Sequence, residues 1–230
     1  ACVARGFWGG DGRLVAGEVV SVRRFVEQGR GFDLPDVQVM VAEQYKIMRA
    51  VIPIHCQLQD RGQIEVSTTP FYHPILPLLV DTDQATIDRQ GSVHPHRFAY
   101  PEDAEAQVRL AVAWYQEVFG QPPSGVWPAE GAVSQSVVPI FARQGIRWLA
   151  TDQGVLARSG RWGYQTDLPD VLCQPYRVED GEHALSVFFR ETRLSDHIGF
   201  HYYARDDLEQ AARDFLREIK DRFAYQIIGD

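Results

Sequence analysis

What the chain lacks narrows its class first. Its 230 residues include only three cysteines, Cys2, Cys56 and Cys173. An odd number without close metal-type spacing argues against a secreted disulfide framework and suits a reducing compartment, so a cytoplasmic location is expected. Positive charge is not in excess: 31 acidic residues stand against 23 basic ones, for a formal charge of −8. That balance repels phosphate backbones and anionic lipid, so neither nucleic acid nor membrane is an expected partner. Long apolar runs are missing too. The strongest, residues 75–80, is broken by Pro77 and falls far short of the ~20 residues of a membrane-spanning helix, so a soluble protein is expected. No basic-then-apolar leader follows Ala1, so no signal peptide is expected. Both ends read as cut, because a buried-strand pattern, Tyr225-Gln226-Ile227-Ile228, is followed by only two residues. No repeat, low-complexity tract or Pro/Gly-rich linker divides the chain, and one α/β domain over residues 1–230 is the expectation.

What is present is ordinary globular composition, 45% hydrophobic and 23% charged. The opening through Phe32 gives little periodicity. Pro35 and Asp36 then introduce a helical stretch to about Gln59, with Val37, Val41, Gln44, Ile47, Met48 and Val51 near a helical period; Pro53 should kink or end it. Residues 62–68 read as a strand. From Pro101 a helix carries Val108, Ala111, Val112, Tyr115, Val118 and Phe119 on one face, with an acidic first turn and Gly120 as its stop. A strand at residues 125–127, a helix at 134–144 closed by Gly145, and a strand at 147–150 continue the alternation. Strands near 171–178 and 184–189 follow, then a helix with Leu208, Ala211, Phe215, Leu216 and Ile219 on one face, then the terminal strand. Such alternation implies a mostly parallel sheet with crossover helices.

Polar residues recur near the C-terminal ends of these strands. Glu65 lies in the first, while Glu130, Asp152, Arg190 and Asp230 follow later ones. Each alone reads more readily as a helix cap or a surface charge, but five together point to a site, since α/β barrels build active sites at that end from several strands.

Three segments carry a resemblance. Gly62-Gln63-Ile64-Glu65-Val66-Ser67-Thr68-Thr69-Pro70-Phe71-Tyr72-His73-Pro74-Ile75-Leu76-Pro77-Leu78-Leu79, then Gly125-Val126-Trp127-Pro128-Ala129-Glu130-Gly131-Ala132-Val133-Ser134, then Trp148-Leu149-Ala150-Thr151-Asp152, resemble the ordered motifs of glycoside hydrolase family 57. The resemblance runs from about Gln28 to Asp230 and lacks the family's first motif, a histidine-bearing strand. It implies an incomplete (β/α)7 barrel, distorted from the TIM type and mostly parallel, and a retaining enzyme acting on α-glucan or maltooligosaccharide without a cofactor or metal. Hydrolysis, branching and 4-α-glucan transfer are all open.

Retaining chemistry needs two carboxyl groups about 5 to 5.5 Å apart, one ionised to attack the anomeric carbon and one protonated to assist the leaving oxygen. The resemblance assigns the nucleophile to Glu130, in Trp-Pro-Ala-Glu-Gly. The acid/base falls to Asp230, because Ile227-Ile228-Gly229-Asp230 resembles the start of the family's strand-closing aspartate motif; Asp152 is the competing acid. Glu65, His73, Trp127, Asp152, Arg190 and Asp196 are the expected substrate contacts, and Tyr72 offers a further aromatic face. Phe188-Phe189-Arg190-Glu191-Thr192-Arg193-Leu194-Ser195-Asp196-His197-Ile198-Gly199-Phe200 resembles another family stretch, with Glu191 where relatives usually carry Asp. Two alternatives stand beside this. His73, His94 and His96 could join an aspartate around a divalent metal, as in polysaccharide deacetylases, and the chain could be an inactive carbohydrate-binding fragment.

Overall fold

The structure, a computed structural model, describes residues 12–13, 19–88, 91, 93–160 and 163–223. They form two units divided between Val66 and Ser67. In the first, β1 (Gly12–Arg13) pairs antiparallel with β2 (Val19–Val20), and α1 (Arg23–Gln28) leads to the long α2 (Leu34–Asp60). Asp33 starts α2 by a reciprocal cap: its carboxylate accepts the Asp36 N–H at 2.9 Å, and the Asp36 carboxylate accepts the Asp33 N–H at 3.4 Å. Pro53 was expected to kink or end this helix, yet α2 continues to Asp60. Arg49, Val51, Ile52 and Pro53 are exposed, so the turn before the proline has room for its ring and the Arg49 carbonyl that the missing N–H frees can turn to water.

The strand expected at residues 62–68 does not form. The Gln63 N–H donates to the Leu58 carbonyl at 2.9 Å and the Val66 N–H to Gln59 Oε1 at 3.1 Å. The end of α2 thus takes donors that a ladder would need, and Glu65 stands on an exposed connection rather than on a strand. Of this segment, Thr68 joins the sheet, as a parallel bridge to Val126.

The second unit holds α3 (Leu76–Val80), α4 (Ala85–Asp88), α5 (Pro101–Phe119), β3 (Gly125–Val126), α6 (Val138–Arg143), β4 (Trp148–Asp152), α7 (Gln153–Ala157), α8 (Pro169–Leu172), β5 (Tyr176–Asp180), β6 (His183–Arg190), α9 (Thr192–Asp196) and α10 (Leu208–Phe223). A π-helical turn, His197–Tyr202, follows α9. As the periodicity predicts, α5 buries Val108, Ala111 and Tyr115, joined by Ala104, and Gly120 ends it in left-handed backbone at φ 74°. The helix expected at 134–144 is shorter, a 3-10 turn at Gln135–Val137 running into α6. The strand expected from 171 begins only at Tyr176, because Pro169, pre-set for a first helical turn, opens α8 instead. On α10, Ala211 is buried, but Leu208 and Leu216 are exposed, so the expected apolar face is covered only in part.

The sheet order is β3-β4-β6-β5, with β3, β4 and β6 parallel and β5 antiparallel to β6. A mostly parallel α/β sheet is what the alternation of elements predicts. Its core packs Val126, Leu149, Leu185 and Val187 from the sheet against Leu76, Val108, Ile140 and Phe141 from the helices. Register matters at Gly125, which lies opposite Trp148. A Cβ there would stand 1.8 Å from the Trp148 ring, so the indole occupies the space that only glycine leaves.

Candidate active site

The C-terminal ends of the parallel strands meet in one cluster. After β3, Trp127 and Pro128 lead into a 3-10 turn, Ala129–Gly131. Pro128, Ala129 and Gly131 are buried, and fully buried Thr151 on β4 donates its hydroxyl to the Gly131 carbonyl at 2.5 Å. The turn is therefore anchored on both sides of Glu130, whose own side chain is 72% exposed. Glu130 holds left-handed backbone, φ 55° and ψ 17°. Only one other described non-glycine residue has positive φ: His73, at 64°. These two meet, with His73 Nε2 2.9 Å from Glu130 Oε1. His73 is fixed in turn by its N–H to the Pro70 carbonyl at 3.0 Å, and the preceding Tyr72 N–H donates to Gln107 Oε1 on α5 at 2.8 Å.

Beside this pair lies an ionic group set by strand register. Asp152 and Arg190 are opposite one another at the ends of β4 and β6. Arg190 Nε donates to Asp152 Oδ2 at 2.9 Å, while its Nη1 reaches Ser195 Oγ at 2.8 Å and Asp196 Oδ1 at 3.5 Å. Its guanidinium carbon lies 5.8 Å from the centroid of the Trp127 ring, within cation–π range. Asp152 also accepts the Gly154 N–H at 2.7 Å, capping α7, and the Thr192 hydroxyl at 3.0 Å. Burial pushes the Asp152 pKa up, but the Gly154 N–H, the Thr192 hydroxyl and Arg190 together hold it below the ordinary aspartate range.

The structure thus brings together His73 with Glu130, and Trp127 with Asp152, Arg190 and Asp196. Glu65 lies in the first unit, on the exposed connection after α2, and Asp230 lies outside the described residues. Thr151, Thr192 and Ser195 lie within the motif segments, but none of them was among the expected site residues. Glu191 turns out to be a helix cap, accepting the Leu194 N–H at 2.5 Å in a position that Ser, Thr, Asp or Asn more often holds. Among the described residues, no three His, Cys, Asp or Glu side chains gather as metal ligands, and His73 pairs with Glu130 instead of joining His94 and His96. Chemically, the cluster offers an exposed carboxylate held in place by an imidazole, beside an aromatic wall and an ionised aspartate–arginine pair.

Comparisons with known proteins agree with one another. The glycosyl hydrolase family 57 sequence model matches residues 23–228. Alpha-amylase 1 of Dictyoglomus thermophilum is 28% identical over 131 residues, 57% of this chain and 15% of that protein. An alpha-amylase of Pyrococcus abyssi is 27% identical over 161 residues, 70% of this chain and 23% of that one. The chain therefore spans less than a quarter of the length of these curated relatives. Among solved structures, the family 57 branching enzyme of Pyrococcus horikoshii aligns with a TM-score of 0.50 at 20% identity, over 78% of this chain and 33% of that one. An alpha-amylase from Thermotoga maritima aligns at 0.50 with 17% identity, over 76% and 31% respectively. At such identities the likeness speaks for the α/β fold alone. The family match extends across nearly the whole chain and contains all three motif segments, so the chain belongs to glycosyl hydrolase family 57.

Proposed function

We propose that this chain is part of the catalytic domain of a retaining enzyme that hydrolyses or transfers α-glucans, with Glu130 as the nucleophile. The observation that carries this reading is the Glu130–His73 pair: an exposed carboxylate on an anchored left-handed turn at the end of a parallel sheet, hydrogen-bonded through one oxygen to an imidazole. His73 engages Oε1, which leaves Oε2 to attack an anomeric carbon. Attack forms the glycosyl–Glu130 ester as the glycosidic C–O bond breaks, and a carboxylic acid protonates the departing oxygen. Water then yields hydrolysis, or a sugar hydroxyl yields transfer.

A group that donates that proton must carry it near neutrality. Asp152 is held ionised by Gly154, Thr192 and Arg190, which favours an orienting role for it and leaves Asp230 as the acid/base of this reading. With Trp127, Arg190 and Asp196, Asp152 would line the sugar site, using charged hydrogen bonds to hydroxyls and one aromatic face. The alpha-amylases among the curated relatives favour an α-glucan or maltooligosaccharide substrate. The parallel β3-β4-β6 array is in keeping with part of a (β/α)7 barrel. The test is Glu130→Gln in the full-length protein, which removes the attacking charge with little change in shape. Maltooligosaccharide turnover should fall roughly a thousandfold or more, and activity close to that of the unaltered enzyme would overturn the assignment.

A further inference from the structure

Beside the site, α9 and α10 carry contacts that the proposed chemistry does not use. Helix α9 is only five residues long, and it presents Ser195 and Asp196 to Arg190. A helix that short has little stability of its own, so something else must hold it. Its two ends are both gripped by α10. At the start, the capping carboxylate of Glu191 takes Arg222 Nε at 3.4 Å, and these side chains are only 12% and 18% exposed. At the other end, His197 Nδ1 lies 2.9 Å from Glu218 Oε2. Glu218 and Arg222 are four residues apart, so they stand on one face of α10. Arg222 also donates to the Thr166 carbonyl at 3.4 Å and to the Asp167 carbonyl. The Thr166 carbonyl in turn accepts the Gln153 amide at 3.0 Å, and Gln153 Oε1 accepts the Thr192 N–H at 3.2 Å. Gln153 directly follows Asp152, and Thr192 bonds to Asp152.

We propose that Glu218 and Arg222 of α10 are positioning residues that clamp α9 at both ends and so set the reach of Ser195 and Asp196 to Arg190. The consequence for substrate rests on the α-glucan reading: the clamp fixes the Arg190–Asp152–Trp127 side of the sugar site and leaves the Glu130–His73 pair alone. Loosening it therefore acts on binding rather than on the attack step. It also gives Glu191 its function, as the residue that joins the α9 cap to the clamp.

The test compares Arg222→Met, Glu191→Gln, the double variant and Arg222→Lys in the full-length protein, with two readouts. The first is amide hydrogen exchange of the peptide containing residues 190–197. The second is KM and kcat on maltooligosaccharide. Arg222→Met and Glu191→Gln should each speed exchange in that peptide and raise KM about tenfold with kcat within about twofold. The double variant should lose less than the sum of the two single losses, because both remove the shared Glu191–Arg222 link while each also loses contacts of its own. Arg222→Lys, which keeps the charge and guards against a folding defect in the methionine variant, should recover most of the KM. Unchanged exchange at 190–197 in Arg222→Met, or a loss confined to kcat, would overturn the clamp. If the unaltered protein neither binds nor turns over glucan, the functional reading fails, while the exchange result still decides whether α10 holds α9.

Discussion

Glu130 and His73 carry a conformational cost that their side chains do not repay. Left-handed backbone costs an ordinary residue about 1–2 kcal/mol, and the hydrogen bond between them joins two side chains that are 72% and 57% exposed, where ion pairs contribute little. Strain of this kind persists where the surroundings over-determine it, here through buried Pro128, Ala129, Gly131 and Thr151. Glu130→Gly should therefore raise stability by about 1 kcal/mol in a urea melt while abolishing turnover, whereas a loss of stability would mean that the turn needs the glutamate. Asp152 yields a pH dependence. Its folded-state pKa lies below the ordinary aspartate value of about 3.9, so its stabilising contribution is fully present above that value and fades as pH falls through the lowered one. Asp152→Asn should lower the urea midpoint at pH 7, and the gap to the unaltered protein should close at a pH below about 4. A gap that persists undiminished in acid would contradict the ionised assignment.

At the scale of elements, the sheet depends on one missing side chain. Trp148 fills the space above Gly125, and a methyl group there would stand 1.8 Å from its ring. Gly125→Ala should cost about 3 kcal/mol in a denaturant melt, the upper end of ordinary overpacking, because both β3 and the β4 indole must shift. A cost within experimental error would show that the indole moves freely. Helices α2 and α5 were legible in the sequence because their signals are local: Pro35 and Asp36 at the start of α2, the spacing of Val108, Ala111 and Tyr115, the stop at Gly120. The strand expected at 62–68 was misleading because Ile64 and Val66 alternate properly, while the backbone donors go to the end of α2. The same contrast holds in the site. His73, Trp127, Glu130, Asp152, Arg190 and Asp196 stand out from motif context, but the Thr151–Gly131 bond and the Glu191–Arg222 pair join residues 20 and 31 positions apart and leave no local signal. Glu65 was expected on a strand and stands on an exposed connection instead.

For the molecule as a whole, a formal charge of −8 offers no attraction to a polyanion, in keeping with the proposed α-glucan substrate, and the chain belongs to glycosyl hydrolase family 57. No described helix is long and apolar enough to cross a membrane. The proposed chemistry turns on one carboxylate, Glu130. Its most direct measurement is to incubate the full-length protein with a 5-fluoro-α-glucosyl fluoride, which slows breakdown of a glycosyl–enzyme ester, and to locate the label by peptide mass spectrometry. A single glycosyl adduct is expected on the peptide containing Glu130, absent in Glu130→Gln. A label on another carboxylate, or glucan cleavage with inversion at the anomeric carbon, would contradict it.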